Sequence, residues 1–368
     1  MLDLVYLLIL LSYININIKG INSYFDDYMD LENTSAIKGL FVWMIFFRHF
    51  SEYLNCKSIK NQKRILINKS LKQNIVSLFL FYSGYGIFES FKKKGNEYIK
   101  TLPIKSFIFL IKTEIIIFIF FCNNLLLGMK TNLVTYLQAI ILRKSIGNSY
   151  WFCFAIISLY SYSFIAFFFI KKRIFNIFGI LLITIICFLH IYLVYNYYHP
   201  KMIISVDTII CFVLGFYYSF FKSFIDKIIK KNDLIYFGII SILIIKYYQF
   251  YVNSQNNLYY MSLINGLFAV IIIIISMKIR VKNNFLLLLN NHSYSIYLLQ
   301  RVIMIYVKIK DLFRNNEFIK FFFEFITVIF IAALFDKYTI CIDKLFKKKH
   351  TYKIENKLIS NEVIDINN

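Results

Sequence analysis

Apolar runs separated by short polar or charged stretches repeat along almost the whole chain. A helix of about 20 mainly apolar residues crosses a hydrocarbon core. On that measure the pattern predicts spans at roughly 38–55, 71–91, 105–127, 149–170, 173–196, 202–222, 233–252, 257–278, 284–307 and 318–341. A shorter run at roughly 1–18 precedes them. It lacks the basic start and small-residue cleavage site of a secretory signal, so it reads as an extra anchor helix or an interfacial strip. The apolar piece NLVTYLQAIILRK, Asn132 to Lys144, is too short to span and reads as an interfacial or re-entrant helix. The expected fold is all-α: a polytopic integral membrane helix bundle with ten core transmembrane helices and a short extra N-terminal helix. Its parts are a hydrophobic segment and acidic connector over 1–30, one membrane domain over 31–345, and a polar tail over 346–368 that reads as disordered.

Composition agrees with the lipid bilayer as solvent. The chain is 59% hydrophobic and 20% aromatic, with 2 prolines in 368 residues, and its mean hydropathy is +0.62. The net charge of +22 suits basic loops beside an anionic leaflet and calls for no nucleic acid. Lysine and arginine placement puts the loops at 91–105, 171–173, 221–233 and 278–284 and the C-terminus on the cytoplasmic side. The basic loop 55–72 then lies outside, against the rule. The 6 cysteines form no C-x-x-C pair and the 5 histidines show no ligand spacing, so no metal is expected.

Ionisable groups inside hydrocarbon need a cavity or a partner. The stretch SAIKGLFVWMIFFRHFSEYL carries Lys38, Arg48 and His49. A rise of about 1.5 Å per residue sets His49 roughly 16 Å along the helix from Lys38. Imidazole titrates near neutral pH, so His49 suits a general base on a hydroxyl, or else bonds a neighbouring helix. Arg48 reads as snorkelling to the external interface. In LFLFYSGYGIFESFKKKG, the small residues Ser83, Gly84 and Gly86 allow either close helix packing or approach of a thin ligand. Lys92, Lys93 and Lys94 follow as phosphate contacts or membrane anchors. In NNHSYSIYLLQRV, Ser293, Tyr297 and Gln300 share a helical face with Tyr294 beside it, for interhelical bonds or for a site. Glu114 is expected to pair with Lys112 or Lys105, and Asp207 to sit at an interface.

These segments together resemble the membrane-bound acyltransferase family 3. Lys38, ten intervening residues and His49 match the spacing of the family's basic residue and histidine, with lysine for the commoner arginine. FYSGYGIFESFKKKG resembles its aromatic-x-Ser-Gly segment, SYWFCFAIISLY with Trp151 its tryptophan-led middle helix, and HSYSIYLLQRV its late Ser-Tyr-x-x-Tyr-Leu motif, with Gln300 in the terminal place. The resemblance runs from about residue 31 to 345. One departure is TLPIKSFIFLIK, where only Lys100 and Lys105 stand for the family's arginine-rich cluster.

The resemblance implies a polysaccharide or O-antigen O-acetyltransferase in a bacterial cytoplasmic membrane. No cofactor would be held permanently; acyl-CoA, most simply acetyl-CoA, would be the co-substrate, and a glycan or lipid-linked saccharide the acceptor. His49 would be catalytic, as base or transient acyl carrier. Lys38, Ser83, Gly84, Lys92 and Lys93 would meet the donor, and Tyr294, Tyr297, Gln300 and Trp151 the acceptor or the oxyanion. A transporter or flippase of lipid-linked sugars is the main alternative, but it predicts two similar halves that the chain lacks.

Overall fold

The computed structural model describes residues 15–53, 74–129, 132–141, 145–170, 176–197, 206–254, 257–313 and 316–365. The first fourteen residues of the expected anchor and the basic loop 55–72 lie outside them. Helices dominate: α1 (Leu31–Glu52), α2 (Asn74–Lys94), the single turn α3 (Asn96–Ile99), α4 (Leu102–Leu126), α5 (Leu133–Ile140), α6 (Tyr150–Phe167) and α7 (Asn176–Tyr197). They are followed by α8 (Ile209–Ile229), α9 (Asp233–Asn253), α10 (Leu258–Ser276), α11 (Asn284–Asn291), α12 (Ser293–Ile309) and α13 (Glu317–Asp365). Among the described residues, five helices are long and apolar enough to cross a membrane: α7, α8, α9, α10 and the Glu317–Phe346 part of α13.

Polar side chains start the helices where the apolar pattern begins. Asp30 accepts a hydrogen bond from the Asn33 amide at 2.7 Å and so caps α1. Asn132, Asn232, Asn257 and Asn283 cap α5, α9, α10 and α11 in the same way. Packing then depends on close backbone approach. A Cβ on Gly84 of α2 would stand 2.1 Å from the Phe212 carbonyl oxygen, and one on Gly215 of α8 would stand 2.3 Å from that of Phe81. Only glycine allows this crossing, around which Phe88, Phe167 and Phe216 are buried. A second core joins α1 to α13 through Phe46, Phe50, Phe321 and Phe325. On α9, Tyr236 is the buried residue; Ile239, Ile240 and Leu243 pack half-buried on the core, and residues such as Leu234, Phe237, Ile242 and Ile245 face outward.

Three expectations are corrected. Residues 15–18, the end of the expected anchor helix, form strand β1 (Asn15–Ile18), antiparallel to β2 (Ile279–Lys282). Alternating Asn-Ile-Asn-Ile supplies β-branched residues at period two, which favours a strand. The span at 284–307 is broken between α11 and α12 at His292. Asn290, Asn291 and His292 are poor helix formers. The Asp336 carboxylate of α13 also grips both sides of the break, His292 Nδ1 at 2.6 Å and the Ser295 hydroxyl. The tail expected to be disordered continues α13 to Asp365. It holds no proline or glycine, and its lysines and isoleucines let a helix already nucleated continue.

One end of the bundle is tied by ion pairs. Arg280 of β2 meets Asp27 at 2.6 Å and Asp30 at 2.5 Å, and Lys278 meets Asp233 at 2.6 Å. Lys230 meets Asp26 at 3.1 Å and Lys222 meets Asp226 at 2.9 Å. The buried Tyr28 hydroxyl reaches Asp226 at 2.5 Å and Tyr218 at 2.7 Å. Arg280's hydrogen bond holds the Asp27 carboxyl below the usual carboxylate range, and burial together with Asp226 and Tyr218 pushes the Tyr28 phenol up.

Candidate functional site

Five helices line a partly open cavity of about 280 Å³, near the lower size limit of small-molecule sites. Helical spacing selects its walls. Lys38, Val42 and Ile45 come from one stripe of α1, and Phe79, Tyr82 and Ser83 from α2. Phe109 of α4, Phe152 and Tyr160 of α6, and Ser293, Tyr294 and Tyr297 of α12 complete it. Gly39 explains how Lys38 comes to lie there: its Cβ would stand 1.9 Å from the Leu286 carbonyl oxygen, so α1 packs against the backbone of α11 at that point.

In the wall, Tyr294 shares a 3.0 Å hydrogen bond with Thr113. Two other groups have no partner among the described residues. Lys38 has no ion pair or hydrogen bond among the described residues. The Tyr82 hydroxyl, on a side chain 7% exposed, is buried without a partner. An ammonium and a phenol left unsatisfied in one aromatic cavity suit a ligand that brings acceptors, since unmade bonds of buried groups are costly.

His49 lies behind this cavity rather than in its wall. Its ring centroid is 6.3 Å from that of Tyr297, which does line the cavity. The imidazole is 7% exposed and held by two charges. Arg301 Nη2 lies 2.9 Å from His49 Nδ1 and 2.9 Å from Glu52 Oε2, while Glu52 Oε2 lies 3.4 Å from Nδ1. A guanidinium only donates, so Nδ1 accepts and the neutral ring carries its hydrogen on Nε2. In this arrangement Nε2–H is a donor, suited to a developing oxyanion, and the ring has no free lone pair for a hydroxyl proton. Arg48 is half-buried on α1, where Glu52, Arg301 and Asp207 act on its charge.

The cavity therefore unites Lys38, Ser83, Ser293, Tyr294 and Tyr297 from three separate sequence motifs. Other expected residues lie elsewhere. Gly84 faces α8 and serves the helix crossing. Lys92 pairs with Glu89 at 2.5 Å and donates to the Ser219 carbonyl at 3.1 Å, and Lys93 is exposed at the end of α2. Trp151 packs edge-on against Phe152 with centroids 5.9 Å apart, one layer outside the cavity. Gln300 is fully buried, donates to the Tyr297 carbonyl at 2.9 Å and leaves its Oε1 unpartnered.

Two further expectations change. Glu114 forms no ion pair among the described residues; Lys112 turns instead to Asp343 at 2.8 Å. Asp207 is 2% exposed rather than interfacial. Sequence reasoning missed Tyr82, Glu52 and Arg301. Glu52 had a signal, being one helical turn beyond His49. Arg301 directly follows Gln300, but the turn of α12 that brings it to α1 is a tertiary fact.

Among protein-family models, curated proteins and solved structures, none matches the chain.

Proposed function

We propose that the chain is a membrane-embedded O-acyltransferase. It would move an acetyl or similar short acyl group from acyl-CoA to a hydroxyl of a cell-surface polysaccharide or its lipid-linked precursor. The reading takes ten helices as crossing a bacterial cytoplasmic membrane with the C-terminus inside. The single observation that carries it is the aromatic cavity in which Lys38 and Tyr82 stand unsatisfied, with an imidazole one ring behind Tyr297.

In this reading the thin pantetheine arm occupies the cavity, with its phosphate end towards Lys38 and its thioester towards Tyr297. The acceptor oxygen would bond to the thioester carbon as the carbon–sulfur bond breaks, and the hydroxyl proton would pass to the leaving thiolate through Nε2 once the ring's hydrogen has moved to Nδ1. The Tyr297 hydroxyl would donate to the growing oxyanion. Tyr297 separates the thioester pocket from His49, so transfer needs its ring to swing aside. Confinement of donor and acceptor in one cleft supplies the proximity term.

The test uses full-length protein in lipid nanodiscs with acetyl-CoA radiolabelled on the acetyl group. Binding that is lost in Lys38→Met, and transfer to saccharide that is lost in His49→Ala while binding persists, support the assignment. Wild-type binding in Lys38→Met together with wild-type transfer in His49→Ala overturns it. Mass spectrometry of surface glycan from a deletion strain would identify the acceptor.

A further inference from the structure

Arg301 and Glu52 sit where they decide which nitrogen of His49 carries the hydrogen. We infer that Arg301 is a specificity-determining residue: it holds His49 in the non-basic tautomer until an acceptor bearing an anionic oxyacid group draws the guanidinium away. The inference takes its catalytic meaning from the acyltransferase reading above, but the geometry behind it stands apart from that reading.

The argument rests on a count of hydrogens around one nitrogen. Arg301 Nη2 carries two, and two acceptors lie at 2.9 Å, His49 Nδ1 and Glu52 Oε2. While both are engaged, Nδ1 is unprotonated, and the Glu52 oxygen 3.4 Å away has no hydrogen to receive from it. On the same edge of the guanidinium, Arg301 Nε–H is buried and has no hydrogen-bond partner. A carboxylate or phosphate prefers this two-nitrogen edge, which it grips with two parallel bonds. Such a ligand would satisfy Nε–H and take an Nη2 hydrogen that His49 and Glu52 now share.

Release of Nδ1 changes the chemistry of the ring. Proton exchange with water at the half-exposed Glu52 moves one hydrogen from Nε2 to Nδ1, with no net gain or loss. Glu52 then accepts from Nδ1–H, and Nε2 presents its lone pair to the acceptor hydroxyl. An acid group elsewhere on the acceptor would thus switch on the base that attacks its own hydroxyl proton. Among the described residues, Arg48 and Glu52 on α1 and Tyr297 and Arg301 on α12 stand around the imidazole, and Arg301 is hydrogen-bonded to both His49 and Glu52.

The test reads the tautomer directly, without acyl-CoA. Full-length protein labelled with ¹⁵N-histidine is reconstituted in nanodiscs, and the His49 signals are found by subtracting the His49→Gln spectrum. The expected resting state is Nε2–H. Glucuronate is expected to convert His49 to Nδ1–H, with inorganic phosphate as a parallel arm and glucose as the neutral control. Arg301→Gln should show Nδ1–H with no ligand added. Glu52→Met should stay Nε2–H with glucuronate present. A switch by glucuronate alone assigns a carboxylate, and a switch by phosphate alone assigns a phosphate.

Resting Nδ1–H or imidazolium in the wild type, or Nε2–H in Arg301→Gln, overturns the inference; so does failure of both anions to switch the ring. In transfer assays the wild type should prefer glucuronate over glucose by at least about tenfold, the scale of one lost charge-assisted bond. Arg301→Gln should reduce that ratio to near one. Absence of any acyl transfer in a protein whose tautomer switches as described would defeat the acyltransferase reading and leave the switch standing.

Discussion

The first turn of α1 and the stretch beyond it treat charge differently: the first is paired throughout, while the second sets the Arg301–Glu52 pair among groups left unsatisfied. Around its first turn, Asp26, Asp27, Asp30, Glu32, Asp226 and Asp233 each meet a lysine or arginine, and β2 threads Arg280 and Lys282 into the same lattice. Further along, Lys38 enters an aromatic cavity unpaired among the described residues, and near His49 the Arg301 Nε and Gln300 Oε1 atoms are buried without partners. On α13, Glu324 is fully buried with neither oxygen hydrogen-bonded, its nearest cation being Lys320 at 4.0 Å. Pairing in the first region fastens the strand, the connector and helices α1, α8 and α9 together. Unmet demand at the second destabilises the bare protein and is what a bound ligand would relieve. The first region is built for stability and the second for recognition, and substitutions should separate the two.

The largest effect is expected at His49. His49→Ala should reduce acyl transfer by about 10²–10⁴-fold, the usual contribution of an acid–base group, with acyl-CoA binding retained; radiolabel transfer in nanodiscs measures it. Lys38→Met comes next and should have effects of opposite sign. Acyl-CoA affinity should fall about tenfold or more, as a charge-assisted contact is lost. The melting temperature should rise, because an unpaired ammonium leaves the interior; scanning fluorimetry and equilibrium binding on one preparation decide. A lower melting temperature would show that Lys38 belongs to the fastening network after all.

Tyr297→Trp should slow transfer more than it weakens donor binding, since the larger ring obstructs the passage to His49; comparing kcat with acyl-CoA affinity tests this. Arg280→Gln should do the reverse of Lys38→Met. It should cost about 1 kcal/mol of stability, the scale of a partly exposed ion pair, and leave turnover at wild-type level. The smallest effect is the pH response of Asp27. Its carboxyl is held low by Arg280, so its contribution is complete above the ordinary carboxylate range near about pH 4. It drains away as pH falls through the lower folded value. Wild type should therefore lose slightly more stability below that range than Asp27→Asn does, read from melting temperatures across an acid series.

Much of the helical layout was legible because apolar length and polar punctuation are local properties. Helices α1, α2, α4 and α6 to α10 overlap the expected spans, with α1 beginning earlier and α8 later than expected. Of these, α7 to α10 are long and apolar enough to cross a membrane; the short apolar piece after Asn132 is the helix α5. Local patterning failed where a tertiary partner decided the outcome. Asn15 to Ile18 became a strand because β2 was available to pair with it. The helix at 284–307 broke where Asp336, distant in sequence, could hold His292 and Ser295. The site was legible in part for the same reason. Lys38, Ser83 and Tyr297 were visible as polar residues on greasy helices, a conflict that needs a cavity to resolve it. Arg301 was not, because its role depends on α12 turning towards α1. Gly84 and Lys92 were placed near the donor by the resemblance, whereas α8 packs on Gly84 and Glu89 pairs with Lys92.

The seam between Gly39 and the Leu286 carbonyl has a consequence for the whole of α1. With backbone pressed on backbone there, the helix cannot rotate about its axis to absorb a change in length. A single residue inserted between Gly39 and His49 would turn the imidazole by about 100° and push it about 1.5 Å along the axis. Ring and guanidinium would then part company while Lys38 kept its place, so the interval between lysine and histidine behaves as a fixed phase and tolerates substitution far better than insertion.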